Sequence, residues 1–342
     1  MTARHIAWLF AFVVTQAHAR FWRGPAAFRG DRRNNLCIKM INPMTKRSRV
    51  AMIGRDAHEA QELIRPLVSS YLRPEQSVAV FGAYSDETEN PRGQFLVGGY
   101  IACQDEWPWV ARAWQERVLD GPPRIPYLHM REIRRPAWRI KHHVSVNDAE
   151  ERVSEAARIM DSFGDVAATS SMIHRKDLSD IYHSRYRRKK NVPLGLDEPD
   201  YLCFLAYAYN VIHLAHVKWK EAERVDFVVS RKKSISDHVR EFKEDLAELL
   251  QPPFKELVGD LLVVSMEDRL PLQAADVLLW HLQHYYACGQ NQFKMRLPDR
   301  MRLAQLTHEG NMSGVIHEWK REELERIANK WFAMGRVPNK IT

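Results

Sequence analysis

The clearest signal in the chain is the apolar run Ser77–Ser85, in which Val78, Ala79, Val80, Phe81 and Ala83 leave neither face polar. Such a run predicts a central strand buried on both sides. It gives way to Ser85-Asp86-Glu87-Thr88-Glu89-Asn90-Pro91, read as a polar turn, and Gln94–Cys103 then reads as the hairpin partner. Upstream, Leu63, Leu67 and Tyr71 recur at helical spacing within Ala57–Tyr71. Downstream, the pattern predicts a helix bearing Trp107, Trp109 and Trp114, a Pro-rich link Gly121–Pro126, the element Tyr127-Leu128-His129-Met130 and a basic loop through Arg135, Trp138 and His143. A helix over Asn147–Phe163 follows, with Asn147 as its cap and Glu150 three residues on. The rest reads as strand Asp165–His174, helix Asp200–Ala222, strand Arg224–Ser230, helix Ser234–Leu250, strand Asp260–Met266 and helix Leu270–Cys288, with Pro271 in its first turn. Glu309–Thr342 reads as a polar, helical appendage.

With Asp105–Phe163 set aside as an insertion, the order is βββαβαβα. That order resembles the ribonuclease H-like fold: an α/β architecture with a mixed five-stranded sheet flanked by helices, here with a helical insertion after the second strand. The expected division is a basic leader or arm over residues 1–50, the α/β domain over 72–290 with its insertion at about 105–163, and a helical extension over 291–342.

Charge alters the picture less than its sum suggests. The chain carries +8, but residues 1–50 hold ten Lys or Arg against one acid, while the remaining 292 residues hold 41 against 42. Overall basicity is therefore no argument for a nucleic-acid partner. Cys37, Cys103, Cys203 and Cys288 are far apart and form no CxxC or Cys/His cluster, a spacing that argues against a compact zinc site and suits thiols in a reducing cytoplasm. The longest apolar run, Ile6–Val14, is too short to span a bilayer. Preceded by Arg4 and followed by Ala17-His18-Ala19, it is signal-like and makes export the alternative to a cytoplasmic location; Met44 and Met52 are alternative starts.

Two carboxylates carry the chemistry. Asp276 sits on a helix face with Leu272, Gln273, Leu279 and Trp280 at its i±3 and i±4 positions. A carboxylate there must be paired, protonated or bound to a cation, because burying it alone costs several kcal/mol. A buried hydrogen bond or a salt bridge to a nearby Arg is the competing structural reading. Asp86 ends the first strand, where open α/β sheets place ligand sites, with Glu87 and Glu89 beside it; an ordinary solvated turn is its competing reading. Brought together, Asp86 and Asp276 would repel each other, and Mg²⁺ or Mn²⁺ would resolve the repulsion and could activate water for phosphodiester hydrolysis. His129 is a candidate for proton transfer or phosphate contact, against a packed structural histidine. The basic segments Arg131–His143, Arg185–Lys190 and Arg231–Lys233 are candidates for a phosphate backbone, with Trp138 and Tyr186 stacking on bases, against solvated loops.

Tyr84-Ser85-Asp86-Glu87, Phe95-Leu96-Val97-Gly98-Gly99-Tyr100-Ile101, the Trp107–Trp114 helix, Leu128-His129-Met130 and Leu272-Gln273-Ala274-Ala275-Asp276-Val277 together resemble the bacterial domain-of-unknown-function family 3800, over roughly Ser77 to Tyr286. The resemblance implies a ribonuclease H-like fold and a metal-dependent nuclease, with Asp86 and Asp276 holding the metal, Glu87 assisting, His129 nearby, and DNA or RNA as partner. One departure weakens it. Such folds commonly carry a further carboxylate at the end of the fourth strand, where this chain has Ser230; Asp226 lies at that strand's other end, and Glu267 or Asp268 is the nearest substitute. A catalytically inactive module binding nucleic acid or protein is therefore the alternative, and a small-phosphoester hydrolase a third reading.

Overall fold

The computed structural model describes residues 79–89, 92–186, 199–289, 294–307 and 316–333. The leader, the helix read over Ala57–Tyr71 and most of the basic run Arg185–Lys190 lie outside them.

The chain forms a mixed six-stranded sheet flanked by helices. Its strands are β1 (Val80–Glu89), β2 (Gln94–Cys103), β3 (Ala167–His174), β4 (Arg224–Ser230), β5 (Val258–Val264) and β6 (Ile316–Glu318). Their order across the sheet is β5-β4-β1-β2-β3-β6, with β2 antiparallel to both β1 and β3, and the β1–β4, β4–β5 and β3–β6 pairs parallel. The sheet thus has one strand more than the five expected. β6 comes from the segment read as wholly helical; three residues are too few to show strand alternation.

The helices between β2 and β3 are α1 (Trp107–Trp114), α2 (Met130–Ile133), α3 (Pro136–Lys141) and α4 (Val146–Ser162). After β3 come α5 (Arg175–Ile181), α6 (Pro199–Lys218), α7 (Lys233–Ser236), α8 (Phe242–Leu249), α9 (Leu270–Ala287), α10 (Leu297–Thr307) and α11 (Arg321–Ala333). Among the described residues no helix is long and apolar enough to cross a membrane.

Successive side chains of β1 point to opposite faces, and this decides the site. Tyr84 belongs to the core shared with Trp107, Trp114, Leu272 and Leu279, so the even-numbered residues of β1 face α1, α4 and α9. Phe81 and Ser85 face the other layer, where α6 and α8 bring Phe204 and Phe242 against Phe227. The sheet stands between the two layers.

Four sequence readings need correction. The basic loop through Arg135, Trp138 and His143 is helical over Pro136–Lys141, with Pro136 in its first turn. β1 runs on through Glu89, so Asp86 is paired opposite Gly98 within the strand and not in a turn. Helix α4 is capped by Ser145, not Asn147: the Ser145 hydroxyl accepts from the Asp148 amide at 3.1 Å, and the Ser145 amide donates to Asp148 at 2.8 Å. The Ser-x-x-Asp box begins two residues before the one read from Asn147. The helix read over Ser234–Leu250 is broken into α7 and α8, and the Ser236 hydroxyl donates to the Lys232 carbonyl at 2.7 Å, the local competition that makes serine a poor helix-interior residue.

Candidate functional site

The site assembles where β1 outruns its neighbour. Pairing of β1 with β4 ends at Ser85 and Val229, leaving Asp86 one residue past the shared ladder. Helix α9 lies across this point on the even-numbered face and can approach because its contact residues are small: Ala274 and Ala275 are fully buried. Gly98 opposite Asp86 has the same effect, since a Cβ there would lie 3.1 Å from Leu279 Cδ2 and 2.8 Å from Ser170 Cβ.

One turn apart on α9, Gln273 and Asp276 grip the extended segment that precedes α2. Gln273 Oε1 accepts from the Leu128 amide at 2.9 Å and from Trp114 Nε1 at 3.1 Å. Asp276 Oδ2 accepts from the Met130 amide at 2.6 Å. The i, i+3 spacing on the helix therefore matches alternate amides of an extended chain, the physical content of the Gln273-Ala274-Ala275-Asp276 motif.

Asp86 and Asp276 interact through like charge. Burial pushes the Asp86 carboxyl up to about 7, with the Asp276 charge adding to the rise; the Glu87 amide, the Ser230 hydroxyl and Lys232 oppose it. Burial likewise pushes Asp276 up to about 7, opposed by the Met130 amide and reinforced by Glu132. Among the described residues no Arg or Lys forms an ion pair with either carboxylate. The nearest cationic candidate, His129, places Nδ1 3.6 Å from Asp276 Oδ2, beyond hydrogen-bond reach, and Nδ1 instead accepts from the Arg131 amide at 3.2 Å. Burial lowers the His129 pKa, so the ring is neutral at pH 7 with its proton on Nε2.

The structure thus brings Asp86, Asp276 and His129 to one face and separates Glu87 from them. As an odd-numbered residue of β1, Glu87 points to the α6 layer, where Lys232 Nζ lies 3.5 Å from it and 2.7 Å from Asp200 at the head of α6. The Lys232 ammonium also stands 4.5 Å from the centre of the Phe95 ring. Burial, then the Asp86 charge, push Glu87 up to about 8. Lys232, read from the sequence as a phosphate contact, is instead an internal counter-ion. Lys232→Met removes the ammonium that Glu87 and Asp200 share, and is expected to lower stability to urea at pH 8 by about 2 kcal/mol, the buried-pair penalty discounted for partial exposure. Unchanged stability would show that Glu87 and Asp200 need no counter-charge.

Two acids were missed as site residues, one on each side of the sheet. Glu132 faces Asp276 and hydrogen-bonds the Tyr127 hydroxyl. Asp200 heads an apolar helix just as Asp276 sits within one, and the same argument would have found it. Glu267 acts on His129 and Tyr127, not on Asp86 or Asp276. Among the described residues no set of three His, Cys, Asp or Glu side chains is gathered closely enough to hold a metal on its own. Comparison with protein-family models, with curated proteins and with solved structures finds no significant match to this chain.

Proposed function

We propose that this chain is a ribonuclease H-like, divalent-metal-dependent phosphodiester hydrolase, with Asp86 and Asp276 as its metal ligands. One observation carries the reading. Two carboxylates, 190 residues apart in sequence, lie near enough for the charge of Asp276 to raise the Asp86 pKa, and among the described residues neither is ion-paired with an Arg or Lys, while Asp276 keeps 14% of its side chain open to solvent. A partly open, repelling pair is what a cation relieves. The strand order β5-β4-β1-β2-β3 supports the fold assignment.

The donors fit a hard ion. Two carboxylates and the Ser230 hydroxyl are oxygen ligands, and His129 has its Nδ1 lone pair committed to Arg131, so Mg²⁺ or Mn²⁺ retaining several waters suits the site better than zinc. When bound, such an ion activates water and offsets charge developing on a phosphoryl group. The chain's own residues do the rest. Gln273 and Asp276 fix the Leu128–Met130 segment; His129, neutral, presents Nε2–H as a hydrogen-bond donor to a phosphoryl oxygen; Ser230 orients the Asp86 carboxylate.

Ser230 in place of a carboxylate, with no third ligand gathered among the described residues, favours a second reading, in which the same fold binds its ligand without cleaving it. Titration of the full chain with Mn²⁺ by calorimetry, together with assays on single-stranded DNA, RNA and a chromogenic phosphodiester, separates the two. Saturable binding of one ion with cleavage of any of these substrates is the expected result. Binding without cleavage leaves the silent module, and absence of Mn²⁺ binding removes the metal site altogether.

A further inference from the structure

Among the described residues, one cationic segment carries free cations beside the acidic pair. Lys232 is consumed by Glu87 and Asp200, and Arg187–Lys190 lie outside the described residues. Within α2 and α3, two of the five cations are used to build the surface. Arg134 pairs with Glu150 at 3.2 Å and stacks 4.0 Å above the Trp280 ring, and Arg139 donates to the Arg134 carbonyl at 2.8 Å. Arg131, Arg135 and Lys141 are exposed, and among the described residues no carboxylate pairs with any of them.

Three other exposed arginines, Arg112, Arg124 and Arg175, are by contrast matched to Glu116, Asp120 and Glu89 at 2.8–3.0 Å. Aromatic and apolar groups are interleaved with the free cations: Trp138 packs against His142 at 4.4 Å between ring centres, and Ile140 is 75% exposed. The surface is also keyed to the acidic pair, because α2 begins at Met130, whose amide is held by Asp276. Arg131 and Arg135 are close enough to act on the charge of His129.

We propose that α2 and α3 form a binding surface for a nucleic-acid strand, on which Arg131, Arg135 and Lys141 contact successive phosphates beside the Asp86–Asp276 pair. The placement of the reactive phosphodiester at that pair rests on the hydrolase reading; the binding surface does not. Cations beside an acidic pocket offset the repulsion a polyanion meets on entering it, and interleaved aromatic rings offer bases a stacking partner. A membrane surface suits the geometry less well, because α3 is a six-residue helix with a single strongly exposed apolar side chain, Ile140, and cannot lay down an apolar face.

The test is fluorescence anisotropy with labelled 20-nucleotide DNA and RNA strands in EDTA, so that no metal takes part. The full chain is compared with R131A/R135A/K141A and with R131K/R135K, melting curves confirming that each folds. The triple alanine variant is expected to bind about tenfold or more weakly near 0.1 M salt, and its log–log salt slope to shrink by about 2, roughly 0.7 for each phosphate that no longer meets a cation. The lysine variant keeps most of the affinity. Equal affinity and slope in the alanine variant overturn the proposal, as does a wild-type chain that binds neither strand, or an alanine variant that keeps strand binding and loses binding to anionic vesicles instead. Mn²⁺ binding with an indifferent alanine variant defeats this inference alone; strand binding without Mn²⁺ defeats the hydrolase reading alone.

Discussion

In metal-free buffer at pH 8, Asp276→Asn is expected to be more stable to urea than the wild-type chain by about 2–4 kcal/mol, and to have lost any response to Mn²⁺. Asparagine keeps an oxygen for the Met130 amide but carries no charge against Asp86 or Glu132. The sign follows from linkage. The folded pKa of Asp276 lies near 7, above the value of about 3.9 for an unfolded aspartate, so the folded state binds the proton more tightly. Stability contributed by that proton is fully present below about pH 4, drains away as pH rises through about 7, and is absent above. A three-unit shift corresponds to about 4 kcal/mol, an upper figure because Asp86 and Asp276 share the effect.

The gap between variant and wild type therefore opens from pH 4 to 7 and closes again in acid. Comparing the two chains cancels the opposite trend of Asp260 and Asp299, whose ion pairs hold their carboxyls below the usual range and whose stability falls as pH drops. Mn²⁺ at 100 times its dissociation constant should return about 2.7 kcal/mol to the wild type and nothing to the variant. A variant less stable than wild type at pH 8 would mean that the Asp86–Asp276 pair is not repulsive, and would remove the main support for a cation there.

Much of this arrangement was legible in the residues. A carboxylate with leucine, glutamine and tryptophan around it on a helix needs a partner, and Asp276 takes a hydrogen bond from the Met130 amide, as its structural reading allowed. Strand and helix order followed from period and length. What escaped was whatever depends on register or on partners distant in sequence. Glu87 looked like an ally of Asp86 because they are adjacent; once β1 runs through both, adjacency sends them to opposite layers. Ending the strand at Ser85 hid that consequence. Lys232 looked like surface charge because its acids lie 32 and 145 residues away. The Ser145 cap and the three-residue β6 were lost to weak local signals, the first to a neighbouring residue with equal capping preference and the second to its length.

The second large effect is expected at Gln273, which is fully buried and touches no reacting group. Its Oε1 takes two donors at once, the Leu128 amide and Trp114 Nε1, while its own Nε2 has no partner among the described residues. Gln273→Met, similar in volume but without an acceptor, strands both donors in the core; at about 1–3 kcal/mol for each, the chain should lose about 2–6 kcal/mol of stability. Gln273→Glu keeps the acceptor and forfeits only an unused amide nitrogen, but adds a charge one turn from Asp276. It should match the methionine variant in neutral buffer and recover toward wild type as pH falls through 5. If the extended segment is pinned at both Leu128 and Met130, releasing one pin lets His129 and the Asp276 carboxylate drift, and Mn²⁺ affinity in Gln273→Met should drop about tenfold, the usual cost of losing a residue that orients a metal ligand. A methionine variant that unfolds like the wild type would show that water replaces the glutamine oxygen and that the spacing of Gln273 and Asp276 has no mechanical role; one that is destabilised yet binds Mn²⁺ normally would confine Gln273 to the core.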